Sequence, residues 1–298
     1  MRFAGELAAL GTAVCWAAGS NFFAAAGRRM GAVVLNRLRI TLASAFLAVA
    51  LLATQGSPWP TRATAAQVSL LGASGLIGFV LGDNYYFRSL LILGPGRGAM
   101  VASLAPVFTA LLGVPILGET LGPVALLGMG LTLAGLLWSL GEREHLEHVR
   151  IRGPAKVGIF AGVVGAFGQA GGFVISKLVL REGFDPLSAT MVRVAVATAV
   201  MWILAVAGGG AAGSLDALRD RAGALSMVGG AFCGPFLGVT LSLFALKHTE
   251  AGVAASICAL YPILALLISS RFHAERITGR TLAGAAVSFA GVAVLFVR

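Results

Sequence analysis

Ten apolar runs divide the chain, at 4–26, 31–54, 66–92, 97–117, 121–140, 156–179, 186–208, 223–246, 251–270 and 279–297. Each has about the 20 residues that a helix needs to cross a bilayer. No run shows the alternating polarity of a barrel strand. Charged residues make up 11% of the 298-residue chain, against about 25% in an ordinary soluble domain. That leaves too little polar surface for a water-soluble enzyme, and so much apolar surface that disorder is excluded. The expected fold is an all-α membrane protein of ten transmembrane helices, in contact with the lipid bilayer. The first run reads as the first of these helices rather than a cleaved leader, because the internal repeat needs it as the partner of the sixth.

The most polar interruption, 141–156, divides five runs from five. An offset of 156 residues brings the two halves into register. Gly78 and Gly82 meet Gly234 and Gly238; Pro106 meets Pro262; Glu119 meets Glu275. Gly and Ala coincide easily in this composition. Pro and Glu spaced thirteen residues apart in both halves do not. Five is odd, so the second copy enters the membrane from the opposite side. The reading is therefore a five-helix repeat over 1–140, a linker over 141–156 and an inverted repeat over 157–298. Inverted repeats characterise transporters whose site lies at the repeat interface near mid-membrane.

The net charge of +10 comes from basic residues scattered between the runs, the pattern of loop charges in membrane proteins. Nucleic-acid binders cluster theirs on one face, so no nucleic-acid partner is expected. Twelve Lys and Arg fall on the face of the loops after runs one, three, five, seven and nine; six fall on the face of the termini. The positive-inside rule then places both termini outside the cytoplasm. Cys15, Cys233 and Cys258 sit inside apolar runs and read as packing residues. The four histidines show no zinc-ligand spacing, and there is no phosphate-binding G-x-x-x-x-G-K-[ST] loop. Neither a cofactor nor a metal is expected.

Several residues stand out. Asp83 is the one acid deep in a run, and such a group faces a cavity or a cation; it reads as a partner of Arg88 or Arg39, a solvated acid near a helix end, or a substrate or proton-coupling site. Arg39 and Arg193 lie two turns into runs two and seven, where they snorkel to headgroups, meet helix-end carbonyls or contact an anionic group of a solute. Trp16, Asn21, Tyr86, Gln169, Phe236, Thr240 and Tyr261 are candidates, with Asp83, for an aromatic-and-amide cavity lining. Pro106 and Pro262 are expected to kink their helices, as hinges, gates or fixed bends. Gly78, Gly82, Gly234 and Gly238 permit close helix approach, static or sliding. Glu119 is expected to sit at the N-terminus of the next helix.

The segments Tyr85-Tyr86-Phe87-Arg88-Ser89-Leu90 and Ala102-Ser103-Leu104-Ala105-Pro106-Val107-Phe108, running on to Gly118-Glu119, are echoed by Phe244-Ala245-Leu246 and Leu260-Tyr261-Pro262-Ile263. Together they resemble the drug/metabolite transporter superfamily, EamA type. Trp16, Gly19, Ser20, Asn21 and Phe22 resemble its first-helix pattern, with Ala17-Ala18 inserted. Arg39 and Arg193 resemble its second-helix arginine. The resemblance implies a ten-helix carrier of small organic solutes, often an exporter, multi-pass in the bacterial inner membrane. The leading expectation is export of amino acids or similar metabolites, with possible proton coupling. A drug or lipophilic-cation exporter is the alternative, and a membrane-embedded lipid enzyme a remote one. The family is usually drawn with both termini cytoplasmic, opposite to the charge count. An impermeant thiol reagent decides: with the native cysteines replaced, the charge count predicts labelling of a cysteine at the C-terminus of intact cells, and none in the 141–156 loop.

Overall fold

The computed structural model describes residues 3–93, 101–102, 104–140, 154–265, 268 and 278–297, and among these every regular element is helical. Ten principal helices follow one another: α1 (Ala4–Met30), α2 (Ala32–Gln55), α3 (Ala65–Ser89), α4 (Ala105–Leu117), α5 (Pro123–Leu140), α6 (Ala155–Arg181), α7 (Pro186–Ala207), α8 (Arg221–His248), α9 (Ala251–Ala265) and α10 (Gly279–Val297). Six of them, α1 to α3 and α6 to α8, are long and apolar enough to cross a membrane. The other four are shorter apolar helices among the described residues, where ten full spans are expected from the sequence. The linker lies mostly outside the described residues, as does Glu275.

Local chemistry sets the ends. Gly31 and Gly56, at φ +77° and +73°, take the left-handed backbone that glycine adopts without strain, and they stop α1 and α2. Thr64 and Gln67 form a capping box that starts α3. Asp185 accepts from the Ser188 amide at 2.8 Å with Pro186 in the first turn of α7. Asp220 accepts from the amides of Ala222 and Gly223 at the start of α8. It also pairs with Arg29 at 3.0 Å, and the Arg29 hydrogen bond holds its carboxyl below the usual carboxylate range.

The packing is symmetric under exchange of the halves. α1 packs on α8 and α9, as α6 packs on α3 and α4; α2 packs on α7, and α5 on α10. The equivalent helices run antiparallel. Along α2, Thr41 meets Trp202 at 2.8 Å, Ser44 meets Thr198 at 3.2 Å and Gln55 meets Ser188 at 3.1 Å, so the partner number falls as the α2 number rises. In the α5–α10 pair, Gly135 lies against Gly284, and Gly128 against Gly291.

The symmetry extends to the irregularities. Seven-residue π-helical segments occupy Leu76–Gly82 in α3 and Phe232–Gly238 in α8, at the 156-residue offset. π-Segments of this kind are rare and collect at functional sites. Helical structure is also interrupted before Pro106, with a turn at 104, and before Pro262, with a turn at 259–260. Neither proline is a mid-helix kink. Pro106 stands in the first turn of α4, where no helical hydrogen bond is lost, and Pro262 opens the last part of α9.

The main packed core includes Ala9, Leu47, Leu51, Leu180, Leu246 and Val253, with smaller buried clusters around Leu35 and Met227 and around Leu136 and Ile263. Outward-facing side chains on the long helices remain apolar; Leu225 is 73% exposed and Ile203 65%, as a lipid-contacting belt requires. Glycines permit the closest helix contacts. A Cβ on Gly75 would run into the Arg193 carbonyl of α7, whereas one on Gly213 would meet nothing. Gly75→Ala is therefore expected to lower stability by about 1–3 kcal/mol, and Gly213→Ala by under about 0.5 kcal/mol, as read from thermal denaturation of the purified protein.

Candidate functional site

A cavity of about 170 Å3 lies where the two halves meet. A single water needs roughly 10–15 Å3 measured in this way, so the space suits a small solute. α1, α3, α6 and α8 supply its walls from their middles, and the interrupted regions of α4 and α9 supply Ala102, Ala105, Pro106, Ala259 and Tyr261. The last places helix ends and irregular backbone beside the cavity, where such backbone is tolerated in a membrane protein.

Asp83 follows the π-segment of α3 and is 6% exposed. One carboxylate oxygen takes a hydrogen bond from Arg39 Nη2 in a buried ion pair. The other accepts from Gln169 Nε2 of α6 at 2.6 Å. Arg39 also donates from Nε to Asn36 Oδ1 at 2.9 Å, and its guanidinium lies 5.0 and 5.1 Å from the rings of Phe23 and Phe87. Asn36 continues the network to the Phe79 carbonyl and to Asn84. Arg39 is thus held in the interior, not at the headgroups, and Arg88 is exposed. The network spans α2, α3 and α6, so it joins both halves.

Aromatic rings and small residues such as Gly165, Ala166 and Ala255 form the rest of the wall. Tyr86 and Tyr261 share a hydroxyl–hydroxyl hydrogen bond of 2.8 Å across the halves. Trp16 stacks on Phe173 at 6.3 Å and meets Tyr261 edge-on at 5.9 Å. Arg193 of α7 lies with its guanidinium 5.0 Å from the Phe79 ring.

Of the sequence candidates, the cavity brings together Trp16, Asp83, Tyr86, Gln169, Tyr261, Arg39, Arg193, Pro106 and Gly234. Three lining candidates fall outside it. The Asn21 amide donates to the Ala17 carbonyl one turn back in α1 at 2.9 Å. Phe236 packs against Phe46 and Phe232. The Thr240 hydroxyl donates to the Phe236 carbonyl at 2.6 Å. Each shares a helix with lining residues but turns to another face. Gly78, Gly82, Gly238 and Pro262 sit behind the wall. A Cβ on Gly82 would lie 3.3 Å from the Gln169 amide nitrogen, and one on Gly238 2.6 Å from the Trp16 indole, so these glycines let α3 meet α6 and α8 meet α1.

A second polar cluster lies in the half of the molecule nearer the described termini. Glu119, at the end of α4, pairs with Lys177 at 2.5 Å and Arg181 at 3.3 Å on α6. Its other oxygen accepts from the Ala251 amide at 2.9 Å. The helix N-terminus that Glu119 caps is therefore that of α9, in the other half, not that of the following helix. Lys177 also donates to the Thr249 carbonyl. Lys177 and Arg181 are two of the six basic residues counted above on the face of the termini; their i, i+4 spacing on one face of a helix was the available signal. It also missed Phe23, Phe79, Phe87 and Phe173, which are indistinguishable in sequence from lipid-facing phenylalanines, and Asn36, whose i, i+3 relation to Arg39 was legible.

The sequence matches the EamA-like transporter family over residues 3–141 and again over 156–297. The chain belongs to that family. Two successive matches also account for the duplicated helix pattern, and they mark a multi-pass integral membrane protein and a transporter rather than an enzyme. A curated relative from Streptantibioticus cattleyicolor, described as a probable terminal-alkyne amino-acid exporter, is 32% identical over 120 residues. That match covers 39% of this chain and 37% of the relative, so it spans little more than a third of the relative's length. One crystal structure is similar over 99% of this chain and 97% of its own, with a TM-score of 0.74 and 19% identity; at that identity the likeness speaks for the fold alone.

Removing one partner of a buried ion pair leaves the other charge uncompensated, at a cost of about 3–5 kcal/mol. Asp83→Asn and Arg39→Met are each expected to lower the yield of folded protein and its melting temperature sharply. The double variant Asp83→Asn/Arg39→Met should recover much of the loss, since coupled residues are non-additive.

Proposed function

We propose that this EamA-family protein is a ten-crossing secondary transporter of two inverted five-helix repeats, 1–140 and 157–298, joined by the 141–156 linker. It exports amino acids or similar small organic metabolites. The observation that carries the reading is the cavity between the halves, roofed by aromatic rings and furnished with Asp83, Gln169 and two arginines, above a side closed by the Glu119 cluster. That is one end state of alternating access. In the other, the Glu119–Lys177 contact parts and the opposite mouth closes around the broken segments of α4 and α9. The π-segments and their glycines are the surfaces on which α3 moves against α6, and α8 against α1. The name of the partial relative lends support to amino acids as cargo. The driving gradient is the solute's own or that of protons.

A counterflow assay in proteoliposomes tests this. With a metabolite panel inside, uptake of labelled amino acid should be stimulated by unlabelled amino acids. Imposing a pH gradient should change the rate only if protons are coupled. No counterflow with any member of the panel would overturn the assignment of cargo.

A further inference from the structure

The two arginines beside the cavity are symmetry mates by sequence but differ in bonding. Arg39 pairs with Asp83, donates to Asn36 and lies against two aromatic rings. Arg193 is 1% exposed, and its Nε and Nη1 are buried without a hydrogen-bond acceptor among the described residues. The Phe79 ring answers its charge on one face, but a ring face does not accept the in-plane N–H bonds of a guanidinium. Asp83, the one acid among the described residues that line the cavity, already accepts from Arg39 and Gln169.

The place of Arg193 is built. A Cβ on Gly78 or on Gly172 would stand 3.2 Å from its Nη2, so glycines of α3 and α6 clear a slot for the guanidinium. The slot opens on the cavity wall that Arg193 shares with Trp16, Tyr86 and Phe173. Burying a guanidinium without acceptors is costly. Its planar fork matches a carboxylate bidentately.

We infer that Arg193 is the anchor for a carboxylate on the transported solute, whose apolar body lies against the Trp16, Phe173 and Tyr261 rings. The inference rests on the transport reading and narrows it. It argues against the lipophilic-cation alternative, because such a cation would stand beside an unanswered positive charge, and the acid lining the cavity is already spent on Arg39.

Binding to the purified full-length protein tests the anchor without requiring transport. Four probes serve: L-phenylalanine, 3-phenylpropionate, phenethylamine and tetraphenylphosphonium, read by calorimetry. The two carboxylates are expected to bind and to compete with each other; the two cations are not. R193Q should weaken both carboxylates at least about tenfold, the loss of a charge-assisted hydrogen bond. R193K, which keeps the charge but not the fork, should fall between. Cations binding as tightly as carboxylates, carboxylate affinity unchanged in R193Q, or no probe binding at all would overturn the inference. If R193Q does not fold, the comparison of probes on the wild-type protein and on R193K decides. Carboxylate binding without counterflow would remove the transport reading and leave the anchor. Counterflow confined to cations would do the reverse.

Discussion

The backbone-to-backbone contact of α3 with α6, repeated by α8 with α1, is what the rest of the structure depends on. Lipid supplies no hydrophobic drive for helices to associate, so they are held by close packing and by buried hydrogen bonds. Gly165 and Gly168 face Gly82, and Gly19 faces Gly234. At these points two helices approach without side chains between them. A larger residue would push the halves apart and leave no fixed geometry for the polar groups above.

Those polar groups then act in a medium where each unsatisfied donor or acceptor is costly. The Arg39–Asp83–Gln169 network is satisfied almost throughout, joins three helices and reaches across the halves. The Glu119 cluster does the same on the side nearer the described termini, tying α4, α6 and α9. Beside them lies a cavity whose remaining lining is made of aromatic rings and small residues. Against that background two buried donors of Arg193, Nε and Nη1, are without a hydrogen-bond partner among the described residues.

The symmetry of the two halves is structural more than chemical. The π-segments and the helix interruptions recur at the same offset. Asp83, however, faces Val239 in the second copy, and Lys177 and Arg181 correspond to Asn21 and Ala25 in the first. The duplicated backbone provides equivalent joints and a matched pair of arginines, Arg39 and Arg193, while Asp83 and the two cations that hold Glu119 belong to single copies. The bilayer-spanning framework is thus shared, and the recognition is not.

Apolar run length, an odd number of runs per repeat and a Pro–Glu pair in common register were enough to read a helical membrane architecture from the sequence, because desolvating a backbone in lipid allows few solutions; the family was read from the resemblance carried by the motif residues around Pro106 and Pro262. Asp83, Arg39 and Arg193 were legible as candidates for the same reason: a charge in an apolar run must have a purpose. Which arginine meets Asp83 could not be read, since the pairing joins residues 44 apart through the packing of α2 on α3. Nor could the exclusion of Asn21, Phe236 and Thr240, because a helix face is assigned by its neighbours and the apolar pattern here runs around every side. Pro106 and Pro262 looked like kinks in continuous runs; only the fold showed them opening new helical segments at breaks beside the cavity. Hydropathy sees the lipid, which surrounds the whole bundle. The cavity is made by contacts between distant segments, and those were decided by the tertiary structure.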